Sequence, residues 1–227
     1  MNILIVAAHP DDEVIGCGAS IAKWAKDGNN VNVIILAEGA TSRDTVRNRA
    51  TRSSDLLSLA EAAQKAGTIL GSVSVKLLNF PDNRMDSVDR LDVVKAIEEH
   101  IFLTNPHTVV THHVGDVNVD HQIVSESVIT ACRPQPKSIV KRLLAFEVNS
   151  STEWQVPGKN HSFHPNWYED VTDTLKLKFE ALSQYETELR DWPHARSKEA
   201  IENLARWRGA SVGYEAAEAF MLMREIR

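Results

Sequence analysis

Short apolar runs alternate with longer amphipathic stretches over the first two thirds of the chain, and this alternation restricts the fold more than any other feature. Residues 3–6 and 33–36 are apolar at every position, a pattern typical of strands in a parallel sheet that helices cover on both faces. Five segments fit such strands: residues 2–8, 31–37, 73–78, 108–112 and 142–148. Between them, helices are predicted at residues 16–28, 44–68, 89–103 and 120–132. We therefore expect an α/β fold with a mostly parallel, doubly wound, Rossmann-like sheet and helices on both faces.

The last third of the chain has a different texture. Residues 149–168 are rich in Ser, Asn, Pro, His and Trp without a regular period, which predicts a long structured loop. Helices are expected at residues 172–191 and 196–208, and residues 216–226 fit either a helix or a strand. No repeat or linker interrupts the chain, so we predict a single domain over residues 1–227. Residues 149–227 would supply its substrate loop and C-terminal helices.

Charge and composition argue against several classes of function. The formal net charge is −6, and no run of Lys or Arg exceeds two residues, which disfavours binding to nucleic acid or to an anionic membrane surface. The apolar run at the N-terminus, about six residues, is too short for a signal peptide or a membrane span. We therefore expect no membrane insertion and a cytoplasmic location.

The first predicted strand ends in an acidic loop. His9 is followed, after one proline, by Asp11, Asp12 and Glu13. Ligands of doubly wound sheets bind beyond the carboxyl ends of the strands, where this loop would lie. One acid could cap the following helix and a second could favour its dipole, so a plain helix start is the simpler interpretation. Three consecutive acids in a crevice would repel one another without a cation, however, and this favours a ligand site.

A second polar cluster follows the fourth predicted strand. It contains His112, His113 and Asn118, and it ends in Asp120 and His121 where the next helix is expected to begin. A lone His at a helix start is more often a surface residue than a ligand. Two such clusters at neighbouring strand ends would instead face each other across the crevice, so the second cluster supports the first.

A His/Asp/His set drawn from the two clusters suits zinc, Zn²⁺, and leaves positions open for water and substrate. Such a site can lower the pKa of a bound water and polarise a carbonyl oxygen. A spare carboxylate beside the metal could accept the proton of that water. From the residues alone, either Asp11 or Asp12 can be the ligand and the other the base.

These motifs resemble the LmbE-like (PIG-L) family of zinc-dependent N-acetylglucosaminyl deacetylases. The resemblance rests on His-Pro-Asp-Asp-Glu at residues 9–13 and on Asp-His at residues 120–121. A Ser-Ser-Thr-Glu-Trp stretch at residues 150–154 is similar to members found in polysaccharide gene clusters. The implied activity is removal of the N-acetyl group from an N-acetylglucosamine-type sugar or sugar conjugate.

The resemblance also implies residue roles. His9, Asp12 and His121 would bind zinc, and Asp11 would be the general base that activates the metal-bound water. Many members carry a His where this chain has Asn118, and that His assists the oxyanion or the leaving amine. Asn cannot donate a proton at neutral pH.

The proton donor is therefore open. The role could pass to His112 or His113, or protonated Asp11 could return the proton by itself. Asn118 stays a candidate catalytic residue because its amide can still donate a hydrogen bond.

Five further residues are candidates for substrate binding because they follow the third and fifth predicted strands at the same edge of the sheet. They are Asp82, Arg84, Ser151, Glu153 and Trp154. Hydroxyl groups and an indole face suit a sugar ring, although a loop start with a core Trp is an equal alternative. Arg84 could bind a phosphate through two hydrogen bonds or pair with a nearby acid. The expected partner is a small acetamido sugar or a nucleotide- or lipid-linked sugar, and a homo-oligomer is expected.

Other interpretations share the same residues. The protein could be a metal-dependent amidase of another N-acyl small molecule, a non-catalytic metal- or sugar-binding homologue, or a nucleotide-binding protein without a metal. Pro-His-Ala-Arg-Ser at residues 193–197 links the two late helices. Its basic residues could bind substrate or a neighbouring subunit, although a solvated turn is the simpler interpretation.

Overall fold

The computed structural model describes residues 1–156 and 162–227, and its strands and helices alternate as the sequence predicts. The part of the predicted loop at residues 157–161 lies outside the described residues. The strands are β1 (Asn2–Ala7), β2 (Asn30–Ala37), β3 (Ser74–Phe80), β4 (Thr108–His112), β5 (Arg142–Phe146), β6 (Trp167–Asp170) and β7 (Ala217–Glu225). The helices are α1 (Asp12–Lys26), α2 (Ser53–Leu70), α3 (Arg90–Thr104), α4 (Val119–Ala131), α5 (Leu175–Leu182) and α6 (Lys198–Ala210).

The strands form one sheet in the order β3-β2-β1-β4-β5-β7-β6. The neighbours from β3 to β5 are parallel, whereas β7 lies antiparallel between β5 and β6. This confirms the predicted mostly parallel α/β sheet. Strands β1 and β4 are direct neighbours, with Val6 opposite Thr111. The two polar loops that follow these strands therefore meet at the same edge of the sheet.

Both faces of the sheet are buried, which is why the central strands lack polar alternation. Ile3 and Ile5 of β1 point into the core formed with α1, α2 and α5. Leu4 and Val6 point into the opposite core, which α3 and α4 cover. Within residues 1–156 and 162–227, no helix combines the length and the apolar character needed to cross a bilayer.

Helix α2 begins at Ser53, so the predicted helix over residues 44–68 is wrong in its first part. Residues 44–52 form a loop instead. Arg52 binds the Asp44 carboxylate through two hydrogen bonds of 2.8 and 2.6 Å, which closes the loop on itself. Asn48 accepts the backbone N–H of Ala50 at 3.0 Å, a local side-chain contact that competes with helix formation.

The C-terminal third also differs from its predicted outline. The helix expected at residues 172–191 is reduced to α5 and the 3₁₀ turn Ser183–Tyr185. Residues 217–225 resolve the helix-or-strand alternative as strand β7, whose first four residues are buried in the sheet. The predicted loop at residues 149–168 contains the 3₁₀ turn Thr152–Trp154 and, at its end, the start of β6.

Candidate metal and active site

Three donor atoms from the two polar loops form a small triangle at the edge of the sheet. Nδ1 of His9 and Nε2 of His121 each lie 3.1 Å from Oδ2 of Asp12, and the two nitrogens are 3.3 Å apart. A tetrahedral zinc ion with bonds of about 2.0–2.1 Å would hold its ligand atoms roughly 3.3 Å apart. All three residues are buried. The donor set and its spacing therefore fit a zinc ion.

Two buried carboxylates set the tautomers of the histidines. Nε2 of His9 lies 3.0 Å from Oδ2 of Asp120, and Nδ1 of His121 lies 3.1 Å from Oδ2 of Asp116. A carboxylate accepts, so each of these ring nitrogens carries the proton. Once the opposite nitrogens give up their protons to make room for a metal, their lone pairs point into the triangle, which is the arrangement that ligand histidines commonly show. The predictions from sequence gave Asp116 and Asp120 no role, although both stand in the second polar cluster.

A second group of possible ligands, His9 with Asp82 and Asp120, shares one histidine with the triangle. Asp120 already accepts the backbone N–H groups of Asn83 at 2.7 Å and Met85 at 2.9 Å, besides the ring of His9. Its lone pairs are largely occupied, so Asp120 is suited to hold His9. In the triangle, by contrast, Oδ1 of Asp12 is buried without a hydrogen-bond partner among the described residues, and a cation would satisfy that carboxylate.

The electric field of the site attracts a positive charge. Burial opposes the charged form of His121, but the carboxylates of Asp12 and Asp116 outweigh it and raise its pKa to about 9. Burial likewise opposes the charged form of His9, and hydrogen bonds to Asp12 and Asp120 raise its pKa well above the usual value. Without a metal, the site holds a proton where a cation would bind.

Metal binding should therefore release protons. A ligand imidazole must be neutral, whereas His121, with its pKa raised to about 9, is protonated at neutral pH in the metal-free protein. We expect the apparent zinc affinity to rise about tenfold per pH unit for each proton displaced, until the pH passes that pKa. Calorimetric titrations with zinc in buffers of different ionisation enthalpy measure the proton count. Zinc binding without proton release between about pH 6 and pH 8 would contradict this electrostatic account.

Asp11 lies beside the triangle in a conformation that side chains rarely adopt. Its φ is 107° and ψ is −28°, and its side chain does not cap α1, so the helix-cap interpretation of the acidic loop fails. Oδ2 of Asp11 instead lies 2.9 Å from Nη1 of Arg196. Burial raises the pKa of Asp11 well above its ordinary value, and the Arg196 guanidinium opposes that rise. A buried carboxylate with a raised pKa is a stronger proton acceptor than an exposed one.

Arg196 comes from the turn that the sequence leaves open between a solvated and a binding role. Its Nε donates to Oγ of Ser150 at 2.8 Å while Nη1 pairs with Asp11, and the side chain is only 23% exposed. The solvated-turn interpretation is therefore wrong for Arg196. The pairing joins positions that are 185 residues apart, which is why local sequence patterns could not reveal it.

We expect Arg196→Ala to shift the pH dependence of turnover upwards. Removing the cation raises the pKa of Asp11 further, so a smaller fraction is ionised at a given pH. A nearby charge of this kind is worth about 1–3 pKa units. Activity should fall about tenfold or more at neutral pH and recover partly as the pH rises. The test is kcat against pH for the wild type, Arg196→Ala and the charge-preserving Arg196→Lys. An unchanged profile for the alanine variant would show that Arg196 does not act through Asp11.

A buried chain of hydrogen bonds supports the strained backbone of Asp11. Its N–H donates to Oε2 of Glu13 at 3.1 Å, and Oε1 of Glu13 accepts the Tyr185 hydroxyl at 2.6 Å. Burial raises the pKa of Glu13 to about 7, and the Tyr185 hydrogen bond opposes this. Tyr185 is fully buried and belongs to the C-terminal third of the chain. Glu13 and Tyr185 are thus positioning residues for Asp11.

Tyr185→Phe removes this hydroxyl with little change in volume. We expect about 1–3 kcal/mol of lost stability, the cost of leaving the Glu13 carboxylate without its partner, together with a several-fold fall in kcat. Metal content should stay at the wild-type level because no triangle atom is touched. Thermal unfolding, metal analysis and kcat check the three parts. Tyr168→Phe is a matched control, since among the hydrogen bonds of the described residues the Tyr168 hydroxyl donates to a backbone oxygen, Pro165 O, at 3.3 Å. An equal effect in both variants would remove the special role of Tyr185.

Asn118 and the two histidines considered as proton donors occupy different places. Asn118 caps α4, with its side-chain oxygen accepting the N–H of Asp120 at 2.9 Å. Nε2 of His112 accepts the N–H of Ala8 at 2.8 Å, and its ring stacks on His121 with centroids 3.9 Å apart. Burial lowers the pKa of His112, and the charge of His121 lowers it further. This geometry favours supporting roles for Asn118 and His112.

His113 is also buried. Its ring meets the edge of Phe163 with centroids 5.4 Å apart, and its backbone N–H donates to Phe146 O at 3.0 Å. The proposed donor role of His113 stays a prediction.

The two substrate-binding candidates that follow β3 have different positions, Asp82 near the triangle and Arg84 against a neighbouring loop. Oδ1 of Asp82 lies 3.5 Å from Nε2 of His9, and its Oδ2 accepts the N–H of Ser42 at 3.0 Å. Nη2 of Arg84 donates to the backbone oxygens of Asp44 at 3.0 Å and Thr45 at 2.9 Å. Arg84 thus ties the loop before α2 to the loop after β3.

The candidates after β5 also have distinct positions. The Ser151 hydroxyl bonds to Asp116 and lies 3.3 Å from Nδ1 of His121, so it touches the inner side of the site. Glu153 accepts the N–H groups of Ser150 at 2.6 Å and Ser151 at 3.2 Å, which shapes the loop. Trp154 is 56% exposed, so the alternative of a core Trp is wrong.

The doubly wound sheet carries a buried His/Asp/His triangle that could hold a metal ion, and the buried Asp11 directly precedes one of its members in the chain. Residues 4–132 match the family model of PIG-L, described as GlcNAc-PI de-N-acetylase. The chain therefore belongs to the PIG-L family, whose members are N-deacetylases.

Individual relatives match most of the chain in sequence or in fold. The Uncharacterized deacetylase YaiS of Escherichia coli K12 is 29% identical over 192 residues, which is 82% of this chain and 91% of YaiS. The N,N'-diacetylchitobiose deacetylase of Pyrococcus horikoshii has a TM-score of 0.78 at 18% identity, covering 98% of this chain and 84% of that one. GalB, the 4-carboxy-2-hydroxymuconate hydratase of Pseudomonas putida KT2440, has a TM-score of 0.75 at 23% identity, covering 100% and 97%. Since a hydratase shares the fold, the fold alone does not define the reaction.

Proposed function

We propose that this protein is a zinc-dependent hydrolase that removes the N-acetyl group from an N-acetylglucosamine-type sugar or sugar conjugate. The observation that carries the proposal is the position of Asp11, a buried carboxylate that pairs with Arg196 and directly precedes Asp12 of the triangle of metal donors. His9, Asp12 and His121 would hold the zinc ion. When bound, zinc would supply a Lewis acid that makes a water more acidic and polarises the acetyl carbonyl.

Asp11 has the chemistry of the general base in this reaction. Its raised pKa favours uptake of a proton from the attacking water, and the Arg196 guanidinium opposes that rise and so favours the ionised form. The proton can then pass from Asp11 to the nitrogen of the leaving amine, which completes hydrolysis to acetate and a free amino sugar. This route needs no second proton donor, which is consistent with the positions of Asn118 and His112 described above.

The substrate class follows from the family and its relatives. The family description names de-N-acetylation of a GlcNAc-containing lipid, and the Pyrococcus horikoshii protein is named for diacetylchitobiose. Both substrates present an acetamido group on a hexose. A nucleotide- or lipid-linked form, a homo-oligomer and a cytoplasmic location stay predictions.

Acetate release from a panel of N-acetylated compounds tests the proposal. The panel contains N-acetylglucosamine, N,N'-diacetylchitobiose, a nucleotide-linked N-acetylhexosamine and an N-acetyl amino acid. We expect zinc-loaded protein to release acetate from the sugars and not from the amino acid. Preference for the amino acid would favour the alternative amidase, and no acetate from any compound would favour a non-catalytic binding protein.

A further inference from the structure

Two aromatic side chains from different loops meet at the mouth of the site. The rings of Trp154 and His194 lie edge to face, with centroids 6.0 Å apart and an interplanar angle of 77°. Trp154 is 56% exposed, and His194 is exposed as well. An exposed indole face near an active site suits contact with the apolar face of a ligand.

Each ring lies only a few residues along the chain from a residue that contacts a metal donor or the base. Trp154 ends the 3₁₀ turn that follows Ser151, whose hydroxyl lies 3.3 Å from Nδ1 of His121. His194 precedes Arg196 by two residues, and Arg196 binds Asp11. The aromatic pair therefore stands where the loops that contact a metal donor and the base reach the surface.

The pair offers two kinds of contact that suit a pyranose. The indole face can pack against the C–H face of a sugar ring. Nδ1 of His194 accepts the backbone N–H of Arg196 at 3.0 Å, so in the neutral ring the proton is on Nε2. Among the hydrogen bonds of residues 1–156 and 162–227, none engages that N–H, so it can donate to a ring hydroxyl. An apolar face with a donor at its side matches a sugar better than it matches an acyl chain.

Two ion pairs near the site argue against an anionic group next to the acetamido sugar. Arg43 lies 2.5 Å from Glu188, and Arg196 lies 2.9 Å from Asp11. Each of these guanidinium groups already has a carboxylate partner. A phosphate placed beside them would have to compete with Glu188 or Asp11 for its cation, so these two guanidinium groups favour an uncharged neighbour of the acetamido sugar over a nucleotide.

We infer that Trp154 and His194 form a second subsite, which binds the next pyranose ring of an oligosaccharide substrate. The inference rests on the proposed function because it concerns the sugar that follows the reacting one. It makes Trp154 and His194 specificity-determining residues and gives the substrate class as an uncharged N-acetylated oligosaccharide.

The test compares a disaccharide with a monosaccharide. For wild type and Trp154→Ala, kcat/KM is measured with N,N'-diacetylchitobiose and with N-acetylglucosamine, and the ratio of the two values is the readout. We expect Trp154→Ala to lower this ratio about tenfold, the scale of one lost ring contact. If Trp154 only ties the two loops together and so holds Arg196, both substrates suffer equally. A ratio that stays unchanged overturns the inference. Trp207→Ala, which removes a 66% exposed indole from α6, is the matched control.

A binding measurement separates this inference from the proposed function. Calorimetry with zinc-loaded Asp11→Asn protein gives Kd for both sugars, with and without Trp154→Ala. If wild type releases no acetate from any sugar, the proposed function fails, while the ratio of the two Kd values still tests the subsite. Tighter binding of the disaccharide that disappears in Trp154→Ala supports it. Equal Kd values for the two sugars in the presence of Trp154, or no binding of either sugar, overturn it.

Discussion

Asp11→Asn should leave zinc in place and nearly abolish turnover. Asparagine keeps the shape of the side chain but cannot accept a proton from water, and it also loses the ion pair with Arg196. Removal of a positioned general base costs typically 10²–10⁴-fold in rate, so we expect about a thousandfold fall in kcat, or ~4 kcal/mol of barrier. Acetate release and zinc content are to be measured on the same preparation.

A matched control for this variant is Asp173→Asn, which changes an exposed acid just before α5. It should show wild-type turnover and zinc content. Two results would contradict the role given to Asp11. If Asp11→Asn kept wild-type turnover, another group would be the base. If it lost zinc together with activity, Asp11 would act as a ligand.

His121→Ala should lose both zinc and activity. The variant removes one corner of the triangle and leaves Asp116 and Ser151 without the ring that they contact. Changes one step away from a metal ligand already cost about 10–100-fold in metal affinity, so loss of a ligand should cost more than that. Competition with a coloured zinc chelator measures the affinity, and acetate release follows activity.

His100→Ala provides the comparison for His121→Ala. His100 lies on α3, where its ring contacts only Ala96 O at 2.9 Å among the hydrogen bonds of the described residues. Its replacement should change neither zinc affinity nor acetate release. Zinc bound by His121→Ala as tightly as by the wild type would show that the triangle is not the metal site, and the group of His9, Asp82 and Asp120 would then have to be considered.

The fold could be predicted from sequence where the local hydrophobic pattern is compatible with only one type of secondary structure. Apolar runs such as residues 3–6 are buried on both faces, and a parallel sheet is the structure that does this. Element boundaries were less certain where side chains compete with the backbone. The predicted start of α2 was wrong because Asp44 and Arg52 form an ion pair that closes residues 44–52 into a loop. The composition of this segment also fits a helix.

The site was predictable in part for the same reason. His9 and His121 follow neighbouring strands, so the topology brings them together, and their motifs can be read directly. Arg196 and Tyr185 reach the site from the C-terminal third, and Asp116 acts through the unbound nitrogen of a ring. Such contacts depend on how segments far apart in the sequence pack together. The hydrophobic periodicity within one segment does not contain this information.

Zinc titration of metal-free protein tests most directly whether deacetylation depends on zinc. Protein freed of metal with a chelator is given zinc in steps, and acetate release from the best substrate of the panel is recorded at each step. We expect acetate release to rise in proportion to bound zinc and to reach its plateau at one ion per chain. Acetate release that is complete without zinc, or a fully zinc-loaded protein that releases none from any N-acetylated sugar, would contradict this expectation.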